Sequence, residues 1–473
     1  MVLDINQSMN AMGTERTTSV HGIDATVRGL RQTVQSGITR SLTWRRAQLD
    51  GIIRFLTERE AELTEALHAD LGKSPLAGWM ADIVPPRNEA RHALRHLAGW
   101  VRPERVAVPI AYQPGRARII REPKGVVLVV APWNYPVQLC LSPLVGAVAA
   151  GNAAVVKPSE LAPVTAHVLA EWLPRYLDPS AVAVVEGGMD VSQVLLDLPF
   201  DHVFFTGSPR VGRIVMAAAA RHLTPVTLEL GGKSPVIVAA DADLDVAARR
   251  IAWAKLVNAG QTCIAPDYVL VERSVRPAFV ERLIVEVERF AASGEPTRIV
   301  NETHLRRLAG LLDGHGGFTA LEGGPDLGTG RFAPVVITDP DPDSALMQDE
   351  IFGPILPIVV TDSLDESIAF VTTRPKPLAL YLFTQNSAIE DDVLHRTSSG
   401  SVCVNHLLYQ CLVPDLPFGG VGTAGMGAYH GRAGFETFSH PKAILRKPTT
   451  PDPAFAYPPY GAFAERAFRL LLR

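Results

Sequence analysis

No uninterrupted apolar stretch in these 473 residues reaches the roughly 18–20 residues that a membrane-spanning helix needs, so no span is expected. A charge excess is missing too. The 45 basic and 49 acidic residues leave a net charge of −4, which gives no footprint for nucleic acid. Cysteine is scarce, and Cys140, Cys263, Cys403 and Cys411 form neither a CxxC pair nor a dense framework. That pattern predicts free thiols, no metal site and a reducing, cytoplasmic setting. The opening "MVLDINQSMNAMGTERTTSV" lacks a basic start before an apolar core, so a polar, mobile tail over 1–22 is expected rather than a secretory signal. The G-x-G-x-x-G dinucleotide fingerprint is absent as well, since "FTGSPRVG" spaces its glycines G-x-x-x-x-G.

What is present is apolar and periodic. Hydrophobic residues make up 47% of the chain and charged residues 20%, enough for large cores, and the length predicts about two to four domains. Residues 24–100 repeat apolar positions every three and four residues, the helical spacing. Residues 105–122 alternate around a Pro-Gly turn, a hairpin signal. From Gly125 onward, short apolar strands such as "GVVLVVAPW", "NAAVVKPSE" and "DHVFFTGS" alternate with helices. A second alternating set runs from "PVTLELGG" to about residue 404. Both read as α/β domains with parallel sheets covered on both faces, Glu229 and Cys263 being placed on the second.

Chemistry-bearing candidates sit at the ends of these strands. In "FTGSPRVG", Ser208 reads as an N-cap and Pro209 as the first helical residue, with Val211, Ile214, Val215 and Ala218 forming the buried face. Such a helix start can hold a pyrophosphate, and it can equally be an ordinary capped helix. Lys157 and Glu160 in "VVKPSE" lie beyond a strand end, where α/β sheets gather ligands. A surface lysine with a dipole-favoured glutamate fits as well. Cys140 reads as a buried small hydrophobe, as do Cys403 and Cys411. Cys263 differs, because "NAGQTCIAP" surrounds it with polar loop residues and a glycine that can aim a thiol into a cleft. A nucleophile needs a base and an oxyanion donor. Glu229 in "TLELGGKSP" and Asn134 in "PWNYP" each follow an apolar strand, although a salt bridge and a turn contact would also account for them.

The motifs "PWNYP", "KPSE", "FFTGS", "LELGGKSP", "GQTCIAPD", "QDEIFGPILP" and "PFGGVG" stand in the order found in aldehyde dehydrogenases. The phrases "HLTPVTLELGGKSP" and "KPLALY" resemble the class 3 branch of fatty and aromatic aldehyde enzymes, over roughly residues 25–447. The resemblance implies an α/β aldehyde dehydrogenase-like fold in three parts. A Rossmann-type dinucleotide-binding domain is expected over 23–104 and 123–228, a catalytic domain over 229–404, and an oligomerisation arm over 105–122 and 405–447. Residues 448–473 are left as a tail.

By the same resemblance Cys263 is the nucleophile, Glu229 the general base and Asn134 an oxyanion donor. Trp133, Lys157, Ser159, Glu160, Gly207, Ser208, Leu230, Glu350 and Phe352 fall at positions that hold NAD, with NADP possible. A homodimer and medium- or long-chain aliphatic, or aromatic, aldehyde substrates are implied. Two departures stand out: Pro209-Arg210 puts a guanidinium near the phosphate turn, and His406 opens a divergent stretch with Leu407, Leu408, Tyr409 and Leu412 at the expected substrate entrance. Phe463, Ala467, Leu470 and Leu471 fall on one helical stripe near the C-terminal end. The rival readings are acyl transfer from the thioester to coenzyme A, and a non-catalytic protein on the same fold. Retention of Cys263, Glu229 and Asn134 argues against the last.

Overall fold

The computed structural model describes residues 20–292 and 297–472. The polar tail expected over 1–22 therefore lies outside the described residues, except that the first described helix, Val20–Ser36, begins within it. Helices Leu42–Glu58, Glu60–Leu71 and Val84–Trp100 follow. Ser41 caps one of them by accepting from the Trp44 N–H, and Gly72 closes another in the left-handed conformation at φ 71°.

The first sheet has six strands, in the order Gly425–Met426, Val226–Glu229, His202–Thr206, Val126–Val130, Ala153–Lys157, Val182–Val184. All neighbours are parallel except the Gly425–Met426 edge. Numbered along the chain, the five parallel strands lie 3-2-1-4-5, five of the six positions of a doubly wound nucleotide-binding sheet. Their apolar runs follow from burial on both faces: Val126–Val129 and Ala153–Lys157 are all buried, and helix Gln138–Ala150 is apolar almost all round beneath them.

The second sheet has seven strands, in the order Phe318–Leu321, Val335–Thr338, Ile355–Thr361, Tyr268–Glu272, Pro235–Val238, Ala379–Phe383, Ser401–Val404. It is parallel apart from its Phe318–Leu321 edge. A third, three-stranded antiparallel sheet joins Glu104–Val106, Arg116–Pro123 and Ser439–Arg446.

Three expectations change. Glu229 does not belong to the second α/β unit: it is the last residue of a strand in the six-stranded sheet, paired with Thr206 and Gly425. The stretch 405–447 does not go as a whole with residues 105–122. Only Ser439–Arg446 pairs with the hairpin, while Gly425–Met426 extends the first sheet and helix Gly431–Thr437 packs on Gln138–Ala150. Gly146 permits that approach, because a Cβ there would lie 3.1 Å from the Gly434 backbone. Finally, helix Pro209–Ala220 buries Gly212, Val215, Ala218 and Ala219, and Ile214 is 52% exposed. The buried face turns toward Gly212, where the absence of a Cβ admits the Leu230 side chain.

In the C-terminal region, helix Ala462–Leu471 buries Ala464, and Phe463, Leu470 and Leu471 of the expected stripe are exposed. Among the described residues no helix is long and apolar enough to cross a membrane, and no His/Cys/Asp/Glu group could hold a metal.

Candidate active site

A cleft of about 710 Å³ opens at the carboxyl ends of the first sheet's strands and reaches the second sheet. It lies where the strand order reverses, beside Val126–Val130 and His202–Thr206, the place where open α/β sheets bind ligands. Cys263, Glu229 and Asn134 all line it. So do Trp133, Gly207, Ser208, Leu230, Glu350 and Phe352. Three expected residues do not: Lys157, Ser159 and Glu160 stand at the end of the neighbouring strand Ala153–Lys157. There the Lys157 ammonium, itself buried, donates to Glu160 Oε2 at 3.0 Å and to the Pro158 carbonyl at 2.9 Å.

Cys263 is delivered by a contorted turn. Asn258, Ala259 and Gly260 are consecutively left-handed, at φ 53°, 54° and 72°. Only the glycine adopts this freely, so the other two cost about 1–3 kcal/mol each unless their surroundings hold them. The surroundings do. Asn258 Nδ2 donates to the Asn134 and Gln261 carbonyls at 3.0 and 3.1 Å, Gln261 Nε2 donates to the Asn258 and Arg298 carbonyls, each at 3.0 Å, and the Val300 N–H donates to Gln261 Oε1. Gly260 also lies against the backbone of Gly353, where a Cβ would sit 2.3 Å from the carbonyl oxygen.

Asn134 is fixed by the same turn. Its Nδ2 donates to the Gln261 carbonyl at 3.0 Å, which engages one of its two N–H groups and sets the plane of the amide. The Cys263 backbone N–H is the one influence on its own thiol that favours the thiolate. Burial pushes the Cys263 thiol well above the usual range, and the Glu350 carboxylate, Cys411 and Glu229 add to the effect.

Glu229 is 2% exposed, and neither of its carboxylate oxygens has a hydrogen-bond partner among the described residues. Burial alone raises its pKa well above the ordinary carboxylate value. An unpartnered buried carboxylate is costly to maintain, which points to chemistry rather than stability. Glu350 is raised to about 8, first by burial and then by Asp267. Its Oε2 crowds Gly231, where a Cβ would lie 2.1 Å away, and its Oε1 has no partner among the described residues. The adjoining Phe352 is left-handed at φ 49° and meets the Trp133 ring edge-on at 5.5 Å.

Several cavity residues escape a reading of sequence. Thr206, His304, Arg307, Arg374 and Lys376 line the cleft, and Arg307 donates to the Ile351 carbonyl at 2.7 Å, steadying the Glu350–Phe352 turn. Thr206 ends a strand, His304 and Arg307 lie on helix Glu302–Gly310, and Arg374 and Lys376 lie in a loop, where polar residues look like ordinary surface; only "TGS" offered a signal, for Thr206. Of the four entrance residues, Leu407 and Leu408 belong to the core, whereas Tyr409 and Leu412 are exposed. Tyr409 stacks on His406 at 3.9 Å beside Trp253.

Residues 10–444 match the family described as "Aldehyde dehydrogenase family". Among curated relatives, the chain is 45% identical over 461 residues to Aldehyde dehydrogenase family 3 member B2 of Mus musculus, covering 96% of each chain. It is 45% identical over 451 residues to "Aldehyde dehydrogenase, dimeric NADP-preferring" of Rattus norvegicus, covering 93% of this chain and 98% of that one. Among solved structures, the substrate-bound AldH of Staphylococcus aureus superposes with a TM-score of 0.92 at 40% identity, over 95% of this chain and 99% of that one.

Proposed function

The chain belongs to the aldehyde dehydrogenase family and oxidises aldehydes with NAD(P); on that premise we propose that Cys263, Glu229 and Asn134 carry out the reaction, through a covalent thioester, on medium- or long-chain aliphatic or aromatic aldehydes. The observation that carries this reading is the shared cleft: a thiol, an unpartnered buried carboxyl and an oriented amide line one cavity.

The residues of the cleft suit the dinucleotide. The capped N-terminus of helix Pro209–Ala220 faces the cavity through Gly207 and Ser208, which can receive the pyrophosphate. The partnerless Glu350 Oε1 can accept from a ribose hydroxyl, and Trp133, Leu230 and Phe352 supply apolar walls for the nicotinamide end. Arg210 lines the cleft next to Ser208, where its guanidinium can meet a phosphate of the bound dinucleotide. Lys157 and Glu160, at the neighbouring strand end, are assigned to the adenosine ribose on the family's pattern.

Cys263 gives up its proton to solvent, its sulfur bonds to the aldehyde carbon, and the carbonyl π pair moves onto oxygen. Asn134 Nδ2 and the Cys263 N–H stabilise that oxyanion. The chemistry a bound nicotinamide supplies is acceptance of the hydride from the substrate carbon. Glu229 then takes a proton from the water that cleaves the Cys263 thioester, releasing carboxylate and thiol. Burial favours the neutral form of Glu229, which makes it a strong base once ionised.

Acyl transfer to coenzyme A is not favoured, since Glu229 serves water. A homodimer in the cytoplasm is the setting we propose, with the Glu104–Val106, Arg116–Pro123 and Ser439–Arg446 sheet as its arm. The test is a pair of variants followed at 340 nm. Cys263→Ala is expected to form no NADH, and Glu229→Gln to give one NADH per site and then turn over slowly. Unchanged steady-state turnover in Glu229→Gln would remove the assigned base.

A further inference from the structure

Lys73 is one of the most deeply buried charged side chains of the fold, at 2% exposure, and it lies outside the catalytic cleft. It follows the left-handed Gly72 that ends helix Glu60–Leu71. Its ammonium donates to Asp82 Oδ2 at 2.6 Å and to the Asn134 carbonyl at 2.7 Å, and it sits over the Tyr135 ring, 4.2 Å from the centroid. Two hydrogen bonds and a ring face thus satisfy its three donors. Asp82 is 0% exposed and lies in the π-helical turn Trp79–Ile83, which aims it inward; its Oδ1 accepts from the Val137 N–H at 3.2 Å.

Two of the groups touching this ion pair also touch the catalytic loops. The Asn134 carbonyl held by Lys73 also accepts from Asn258 in the left-handed turn that leads to Cys263. The Tyr135 hydroxyl under the ammonium bonds Thr262 Oγ1 at 2.6 Å, one residue before Cys263. A buried ion pair is poor evidence of a stability role, because apolar replacements of similar shape are often neutral or better. It does fix geometry, and geometry is what an oxyanion donor and a nucleophile on separate loops require.

We propose that Lys73, with Asp82 and Tyr135, is a positioning residue that holds the Asn134 amide and the Cys263 turn in register for the oxyanion. The inference rests on Asn134 being the oxyanion donor. It assigns Lys73 no contact with substrate or dinucleotide.

A double-mutant cycle on the full-length enzyme tests it. Lys73→Met/Asp82→Leu removes both charges together, so that neither is left buried alone. In the otherwise native enzyme it is expected to lower kcat by about 10²-fold with KM within about threefold, the mark of misplaced catalytic groups. Asn134→Ala alone is expected to lower kcat by about 10²–10³-fold. Combined with Asn134→Ala, the paired replacement is expected to cost less than about threefold more, because the amide it positions is gone.

Losses that multiply in full would overturn the inference and leave Asn134 in its role. An Asn134→Ala enzyme with unchanged kcat would remove both. Tyr135→Phe deletes one hydroxyl and keeps the packing, so it reports even if the paired variant folds poorly. It is expected to slow iodoacetamide alkylation of Cys263 and to lower kcat several-fold at an unchanged melting temperature; no change in either rate would overturn the Tyr135 branch.

Discussion

Cys263 and Glu229 share one displacement: burial raises the pKa of the thiol and of the carboxyl alike. Each works in its ionised form, and burial disfavours that form, so the rate must climb as pH rises. We expect kcat to increase from pH 6 to pH 9, with Glu229→Gln losing part of the rise. A flat profile over that range would contradict the burial argument. Glu229 and Cys263 were legible in sequence because each is chemically out of place, one a carboxylate ending an apolar strand, the other a thiol in a polar turn. Lys73 and Asp82 were not, since a lysine between two helices looks like surface until tertiary packing encloses it. The sheet that carries Glu229 was misjudged for a related reason: two parallel units with the same strand–helix texture give no compositional step where one ends.

At the scale of elements, the site depends on turns rather than on helices or strands. Gly260→Ala places a Cβ 2.3 Å from the Gly353 carbonyl oxygen at a φ of +72°. We expect it to lower the melting temperature and to reduce kcat at least tenfold, as read by thermal unfolding and initial rates; native-like values would show that the turn tolerates rearrangement. The helix after Ser208 gives a milder case. Ser208 caps it by accepting from the Val211 N–H, and Ser208→Ala is expected to cost about 1 kcal/mol of stability. The same change should raise KM for the dinucleotide while leaving KM for aldehyde unchanged, since Ser208 shapes the helix start that lines the cleft. Sequence located this helix correctly from Ser208-Pro209. It misassigned Ile214 to the buried face, because periodicity cannot foresee that Gly212 lets Leu230 pull the helix round.

Across the whole molecule, the cleft exists because two parallel sheets present their strand ends to one another, the 3-2-1-4-5 order opening a crevice that the Cys263 turn closes from the other side. A ligand filling that crevice binds only the folded chain. At about 100 times its Kd, NAD should add about 2.7 kcal/mol of stability, seen as a rise of a few degrees in melting temperature. An unshifted melting curve would show that NAD does not bind the folded chain. The ordered strand–helix alternation made this architecture readable from sequence; the meeting of Glu229, Asn134 and Cys263 was not, since no spacing along the chain encodes a contact between sheets.

The most direct measurement is peptide mass spectrometry of Glu229→Gln enzyme quenched after one turnover with NAD and an aldehyde. The account predicts a single acyl group on the peptide containing Cys263, equal in amount to the NADH formed. NADH with no acyl group on that peptide, or an acyl group on Cys140, Cys403 or Cys411 instead, would contradict it.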